Sequence, residues 1–258
     1  MGELWFIGLG LSDERGLSPL ALDALRSSDA VFAEEYTAVA PAGTLERLAD
    51  VIGRPVTLLT RPLLESEAPL LHALQKASRV ALVVVGDPFT ATTHVALRVA
   101  VERAGHAWRY VPNASILTAA VGFLGLSAYR FGRTVSLPFP APGFAPRSPI
   151  EHLAANRARG LHTLVLLDLV PEEGRFLLAR EGLSILRERD PDGAAVPDSA
   201  PVAVAARVGR PDAAGWFGPF DRLRSIDFGP PMHVIVVPAA DLHFEESAAI
   251  ERYRIRSV

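Results

Sequence analysis

The strongest constraint on this chain is a run of apolar, largely β-branched residues, Val80-Ala-Leu-Val-Val-Val85, that stops at Gly86-Asp87-Pro88. A run with no polar alternation belongs to a strand covered on both faces, as in a parallel sheet wound by helices. Proline ends the strand because its nitrogen carries no hydrogen for the ladder. The next segment, Phe89-Thr-Ala-Thr-Thr-His94, leads into a helix. In open sheets of this kind ligands sit beyond the carboxyl ends of the strands. Gly86 lets another molecule approach the backbone and Asp87 supplies a charge, so a small-molecule site is expected there.

The same pattern recurs through the first half. Residues 4–11, 29–33, 55–59, 80–85 and 108–111 read as strands, with helices expected between them: one opening at Ser18-Pro19 with Leu20, Leu22 and Leu25 as its apolar positions, one between Thr44 and Gly53, and two more over 68–77 and 94–104. Ser18-Pro19 suits a helix start, Thr44 is a candidate cap, and Gly53 and Gly105 are stops. Strict alternation indicates a parallel sheet with helices on its faces. Pro112-Asn113-Ala-Ser115 marks the expected boundary, giving an N-terminal α/β domain over 1–112 and a C-terminal domain over 113–258. Beyond it come an apolar helix over 116–126, a strand at 134–137 and a loop with five prolines between 138 and 149. A polar helix at 151–159, a strand at 163–168, a helix at 175–187 and strands at 202–206 and 233–237 complete the reading. This half lacks one-to-one alternation, which suits a mixed-sheet α+β domain.

Composition narrows the function. The chain has 258 residues and a net charge of -3, giving no electrostatic reason for nucleic-acid binding. It has no cysteine, which excludes disulfides, thiolate metal ligands and cysteine nucleophiles. No metal site is expected. Apolar runs are strand-length, well short of the roughly 20 residues that span a bilayer. Met1-Gly-Glu places an acid where a signal peptide carries positive charge, so a cytoplasmic protein is expected.

Each candidate has a structural and a functional reading. Gly8-Leu9-Gly10 after the first strand is either a tight turn or a ligand contact; the third glycine of a dinucleotide fingerprint falls at Asp13, which argues against nicotinamide. Asp87 either caps the following helix or faces a ligand. Thr90, Thr92 and Thr93 line the same pocket or fill the first helical turn. His94 lacks a partner at metal-ligand spacing and reads as a helix-surface histidine. Asn113-Ala-Ser115-Ile116 is a helix start, where capping and anion binding are both open. Asp168, Arg207-Val-Gly209 and His233 lie at strand ends. Polar or glycine residues at strand ends in two domains suit a ligand held in the interdomain cleft.

Several blocks together resemble one family. Phe6-Ile-Gly-Leu-Gly-Leu-Ser-Asp-Glu-Arg15, Val31-Phe-Ala-Glu-Glu-Tyr-Thr37, residues 86–94, Ala114-Ser-Ile116, Gly160-Leu-His-Thr-Leu-Val-Leu-Leu-Asp168 and Pro231-Met-His-Val-Ile-Val-Val-Pro238 are similar to the diphthine synthases of the tetrapyrrole-methylase superfamily. The resemblance implies the two-domain fold of that superfamily, a homodimer, and S-adenosylmethionine as cofactor. It implies N-methylation, to the trimethylammonium form, of the 3-amino-3-carboxypropyl group on the modified histidine of translation elongation factor 2. Cofactor contacts implied by matching position are Leu11, Asp87, Thr90, Ser115, Ile116, Leu167, Val208 and His233; no catalytic base is assigned. Glu34, Glu35 and Asp168 are acids available to a cationic substrate. The alternatives are a corrin methyltransferase of cobalamin synthesis and a non-catalytic cofactor-binding scaffold.

Overall fold

The computed structural model describes residues 2–256, and the chain divides into two compact units, 1–116 and 117–258. The first unit is built on five strands: β1 (Glu3–Gly10), β2 (Ala30–Glu34), β3 (Val56–Leu59), β4 (Arg79–Val85) and β5 (Ala107–Val111). Their order is β3-β2-β4-β1-β5 and every pair is parallel. The connections are helices α1 (Pro19–Arg26), α2 (Thr44–Ile52), α3 (Arg61–Glu65), α4 (Ala68–Lys76) and α5 (His94–Arg103).

Side-chain alternation along the central strands explains why both faces are covered. Ile7 and Leu9 of β1, with Ala81, Val83 and Val85 of β4, pack with Ala21, Leu25, Leu48 and Ile52 from α1 and α2. Leu4, Phe6, Val80, Leu82 and Val84 point the other way and pack with Leu64, Leu70, Leu74, Leu97 and Val101 from α3, α4 and α5. Each such side chain contributes about 1.5–3 kcal/mol when fully buried, so neither face can be left open. Ser18 caps α1 as expected, its hydroxyl accepting from the Ala21 amide. Thr44 does not cap α2: Gly43 holds that place, and the Thr44 hydroxyl donates to the Pro41 carbonyl.

Helix α6 (Ile116–Leu124) leads into the second unit, whose main strands are β6 (Val135–Leu137), β7 (Thr163–Leu167), β10 (Pro201–Ala206), β11 (Ala214–Pro219) and β12 (His233–Val237). The order is β11-β10-β12-β7-β6; only β6 and β7 are parallel, so the sheet is mixed. One face packs on α7 (Ser148–Ala158), α8 (Ala179–Arg189) and α9 (Phe220–Leu223) through Leu153, Leu183, Leu186, Phe220 and Leu223. In a small hairpin, β8 (Leu169–Val170) with β9 (Arg175–Phe176), the second strand takes up residues expected to begin a helix. Helix α8 starts later because the Glu181 carboxylate accepts from the Leu178 amide, closing its first turn there.

β11 and α10 (Phe244–Ile250) are among the elements of this unit that have no counterpart in the sequence reading. β11 carries Gly215 and Gly218, which argue against a strand in sequence. A Cβ on Gly215 would lie 2.6 Å from the Tyr253 ring, so the glycine makes room for the C-terminal segment, which pairs along the strand through Ile255 N–H to Phe217 O at 2.9 Å. α10 is fastened by the buried Glu246. One carboxylate oxygen of Glu246 accepts from the Ser127 amide at 2.8 Å and from His162 Nε2 at 2.9 Å. The other accepts from Arg130 at 2.7 Å and the His243 amide at 3.0 Å. His162 Nδ1 in turn accepts from the Ala239 amide, which leaves its one proton on Nε2.

Candidate functional site

Because the strands of the first unit are parallel, the segments after β1, β2, β4 and β5 leave from one edge of the sheet. Leu11, Asp87, Thr90, Ser115 and Ile116 all lie on these segments, so the five are brought to a common edge. The backbone there is tied tightly. Gly10 and Gly86 exchange amide-to-carbonyl bonds at 3.1 and 2.8 Å. A Cβ on Gly8 would lie 2.7 Å from Asn113 Cβ and 2.8 Å from the Gly86 carbonyl oxygen. The first-strand glycines thus admit the chain itself. Asn113 completes the arrangement: its amide donates to the Gly8 and Gly16 carbonyls at 2.9 and 3.1 Å, and its Oδ1 accepts from Ala114 N–H.

Asp87 is buried and its carboxylate organises the loop that carries it. Oδ1 accepts from the Phe89 amide at 3.0 Å and the Thr90 hydroxyl at 2.9 Å; Oδ2 accepts from the Tyr110 hydroxyl and, at 3.4 Å, from the Asn113 amide. Burial first, then the hydrogen bond to Asp87 and its charge, push the Tyr110 phenol up to about 12, so the proton stays on the tyrosine. With Thr90 spending its hydroxyl proton on Asp87, what the two offer a ligand is negative charge and main-chain groups. No ion pair to Asp87 is formed among the described residues. Above Gly86 the nearest atom to a built Cβ is the Ala114 carbonyl at 3.9 Å, an open approach to the backbone.

The acids after β2 are differently placed. Glu34 is buried and committed to the turn that follows it, accepting from the Tyr36 and Thr37 amides and the Thr37 hydroxyl. Glu35 is half-buried; burial pushes its carboxyl up, against a hydrogen bond from the Ala40 amide that lowers it, while neighbouring Glu34 and Glu46 raise it further. His94 is not a surface histidine: it is 2% exposed, because α5 turns its first residue inward toward Glu34.

In the second unit β10 and β7 run in one direction and β12 in the other. Leu167 at the end of β7, Val208 just past β10 and His233 at the start of β12 therefore share one edge of that sheet. All three are buried. His233 Nδ1 accepts from the Ala179 amide and Nε2 donates to the Pro230 carbonyl, so the ring is neutral and both nitrogens are engaged; burial pushes its pKa down. Arg207, in the left-handed region at φ 52°, holds the Phe228 and Pro230 carbonyls and pairs with Asp212 at 2.6 Å. Asp168 is exposed and caps backbone, accepting from the Phe139 and Leu169 amides.

Tyr110 is a contributor with no place in the sequence reading, and Asn113, for which capping and anion binding are both open in sequence, instead ties the Gly8 and Gly16 carbonyls together. The available signal was position: both lie at the end of a strand that shares an edge with Gly86-Asp87. Their partners are 23 to 105 residues away in sequence, beyond any local pattern.

Comparison with known proteins shows the family. Residues 3–223 match the family model of tetrapyrrole (corrin/porphyrin) methylases. The chain is 38% identical to the diphthine synthase of Methanospirillum hungatei JF-1 over 245 residues, 94% of this chain and 95% of that protein. It is 39% identical to the diphthine synthase of Methanothermobacter thermautotrophicus, covering 95% of this chain and 92% of that one. A crystal structure of diphthine synthase superposes with a TM-score of 0.89 at 33% identity, covering 98% and 96% of the two chains. The chain therefore belongs to the tetrapyrrole methylases, among the diphthine synthases, and is a methyltransferase.

Proposed function

We propose that the chain acts in diphthamide biosynthesis, using S-adenosylmethionine to trimethylate the amine of the 3-amino-3-carboxypropyl side chain on a histidine of translation elongation factor 2. The observation that carries this reading is near end-to-end similarity to diphthine synthases, joined to a strand-end cluster centred on an anionic, backbone-anchored Asp87. S-adenosylmethionine, when bound, supplies a methyl group already activated on a positively charged sulfur. Leu11, Asp87, Thr90, Ser115 and Ile116 of the first unit and Leu167, Val208 and His233 of the second are its proposed contacts. A buried carboxylate without a cationic partner among the described residues and open backbone at Gly86 suit a cationic ligand.

The chain's own contribution is mainly to positioning. Holding a nucleophile and an activated group in line is worth roughly 7–11 kcal/mol, which needs backbone fixed as firmly as the Asp87 loop is. Only an unprotonated amine attacks, so a proton leaves the substrate nitrogen before each of the three transfers. Water or a carboxylate accepts it. We further propose a homodimer working in the cytoplasm; among the described residues no helix is long and apolar enough to cross a membrane.

The test combines titration calorimetry with mass spectrometry. Binding of S-adenosylmethionine is expected, together with three added methyl groups on elongation factor 2 that carries the precursor side chain. Methylation of a corrin precursor in place of the factor, or binding without S-adenosylhomocysteine release, overturns the reading.

A further inference from the structure

Three buried histidines can be compared by the partners of their ring nitrogens. In His162 and His233 the Nδ1 accepts a backbone amide, so the proton sits on Nε2. His94 is the reverse. Its Nδ1 lies 2.8 Å from the Pro88 carbonyl, which can only accept, so Nδ1 carries the proton. The other nitrogen, Nε2, is buried without a hydrogen-bond partner and faces Glu34 Oε1 at 3.9 Å.

The surroundings show what this ring holds. Pro88 follows Asp87, and its carbonyl also receives the Thr92 hydroxyl at 2.8 Å. Asp87 fastens the loop from within through Phe89 and Thr90, whereas His94 reaches back from α5 to its start. The loop needs such restraint, since Ala91 sits in the left-handed region at φ 56°. On the β2 side the Tyr36 ring stands edge-on to His94 with centroids 6.2 Å apart, its hydroxyl is 3.3 Å from Thr93 Oγ1, and the Arg61 guanidinium lies over that ring at 5.7 Å. Burial raises the Tyr36 phenol, so that group is neutral. The one charged group facing Nε2 in these contacts is Glu34, which is 1% exposed.

We infer that His94 is a positioning residue for methyl transfer, whose Nδ1–H holds the Pro88 carbonyl and thereby sets the Gly86–Thr93 loop in its donor-binding shape. The inference rests on the reading of that loop as part of the S-adenosylmethionine site. A hydrogen-bonding role and a space-filling role separate in two variants. In His94→Asn the side-chain amide takes the place of Nδ1 and donates to the same carbonyl; in His94→Phe the volume is kept and the donor is lost.

Calorimetry with S-adenosylmethionine, alongside thermal melting, tests the difference. His94→Phe is expected to weaken donor binding about tenfold, the loss of one well-placed buried bond, while His94→Asn stays within about threefold of the parent. In turnover, the rise in KM for the donor is expected to exceed the fall in kcat. Independently, nitrogen-15 spectra of the unaltered protein should assign His94 the Nδ1–H tautomer, opposite to His162 and His233. Equal binding by His94→Phe and the parent, equal loss in both variants, or an Nε2–H tautomer at His94 overturns the inference; the spectrum decides it if the variants do not fold. Absence of donor binding by the unaltered protein strikes the functional reading itself, and this role with it.

Discussion

Asp87 accepts from four donors, two on its own loop and two at the end of β5, and the arrangement can be dissected one donor at a time. Tyr110→Phe removes the phenolic donor and nothing else. Hydrogen bonds to charged groups contribute about 1.5–3 kcal/mol when buried, but Tyr110 is 41% exposed, so about 1 kcal/mol is the better expectation. That loss falls on folding, so a melting temperature lower by about 2–4 °C is expected, with the hold on S-adenosylmethionine weakened by no more than about fivefold by calorimetry. Gly8→Ala tests the opposite property. The added carbon would meet Asn113 Cβ and the Gly86 carbonyl, both closer than 3 Å. Backbone on one side cannot yield as a flexible side chain does, so a loss of about 1–3 kcal/mol in stability is expected by calorimetric melting. If the variant melts with the parent, the close packing at β1 is not what that glycine serves.

Among the elements, those legible in sequence are the ones whose signal is local. The five strands of the first unit announce themselves as short apolar or aromatic runs, β4 most plainly because it is rich in valine, and Ser18-Pro19 announces α1 by capping chemistry that the structure repeats. Ser18→Ala should cost about 1 kcal/mol, read as a lowered unfolding midpoint in denaturant. Elements whose signal is distant were hidden. β11 looks unlike a strand because its glycines answer to Tyr253 and Ile255. α3 is a five-residue helix with little room for periodicity, and α10 depends on Glu246, whose partners lie at 127, 130 and 162 as well as at its own start. The candidate site divides the same way. Gly86-Asp87-Pro88 was visible as a strand stop, while the burial of His94 and the bolt-like role of Asn113 were not, since both depend on which strands become neighbours.

At the scale of the molecule, acid should act first on the second unit. Burial pushes the Glu246 carboxyl up, but hydrogen bonds from Ser127, His243 and His162 outweigh it and bring it down from 4.5 to about 2. A lowered carboxyl contributes stability that is full above about pH 4.5 and lost as pH falls toward 2. His162 and His233 are lowered from 6.5 by burial, so below that value the unfolded chain takes up protons that the folded unit refuses. Both effects reduce stability as pH falls, and all three groups belong to residues 117–258. Of the three tryptophans only Trp216 lies in this unit, packed on Phe228, so its fluorescence in a Trp5→Phe, Trp108→Phe background isolates it. The expected curve falls from about pH 6.5 downward, and Glu246→Gln should flatten its portion between 4.5 and 2 while lowering the plateau at neutral pH. A curve unchanged by that substitution would remove Glu246 from the account.

The fastening of the strand-end loops has a consequence for how such a protein changes over time. Asp87 and Asn113 clamp the loops from their side chains and the Gly10–Gly86 exchange from the main chain, and none of these bonds uses the side chain of Leu11 or Ile116. Mutation can therefore redraw the outline presented to a visiting molecule and leave the clamps alone. A lineage built on this frame can trade one guest for another in single steps, each variant still able to fold.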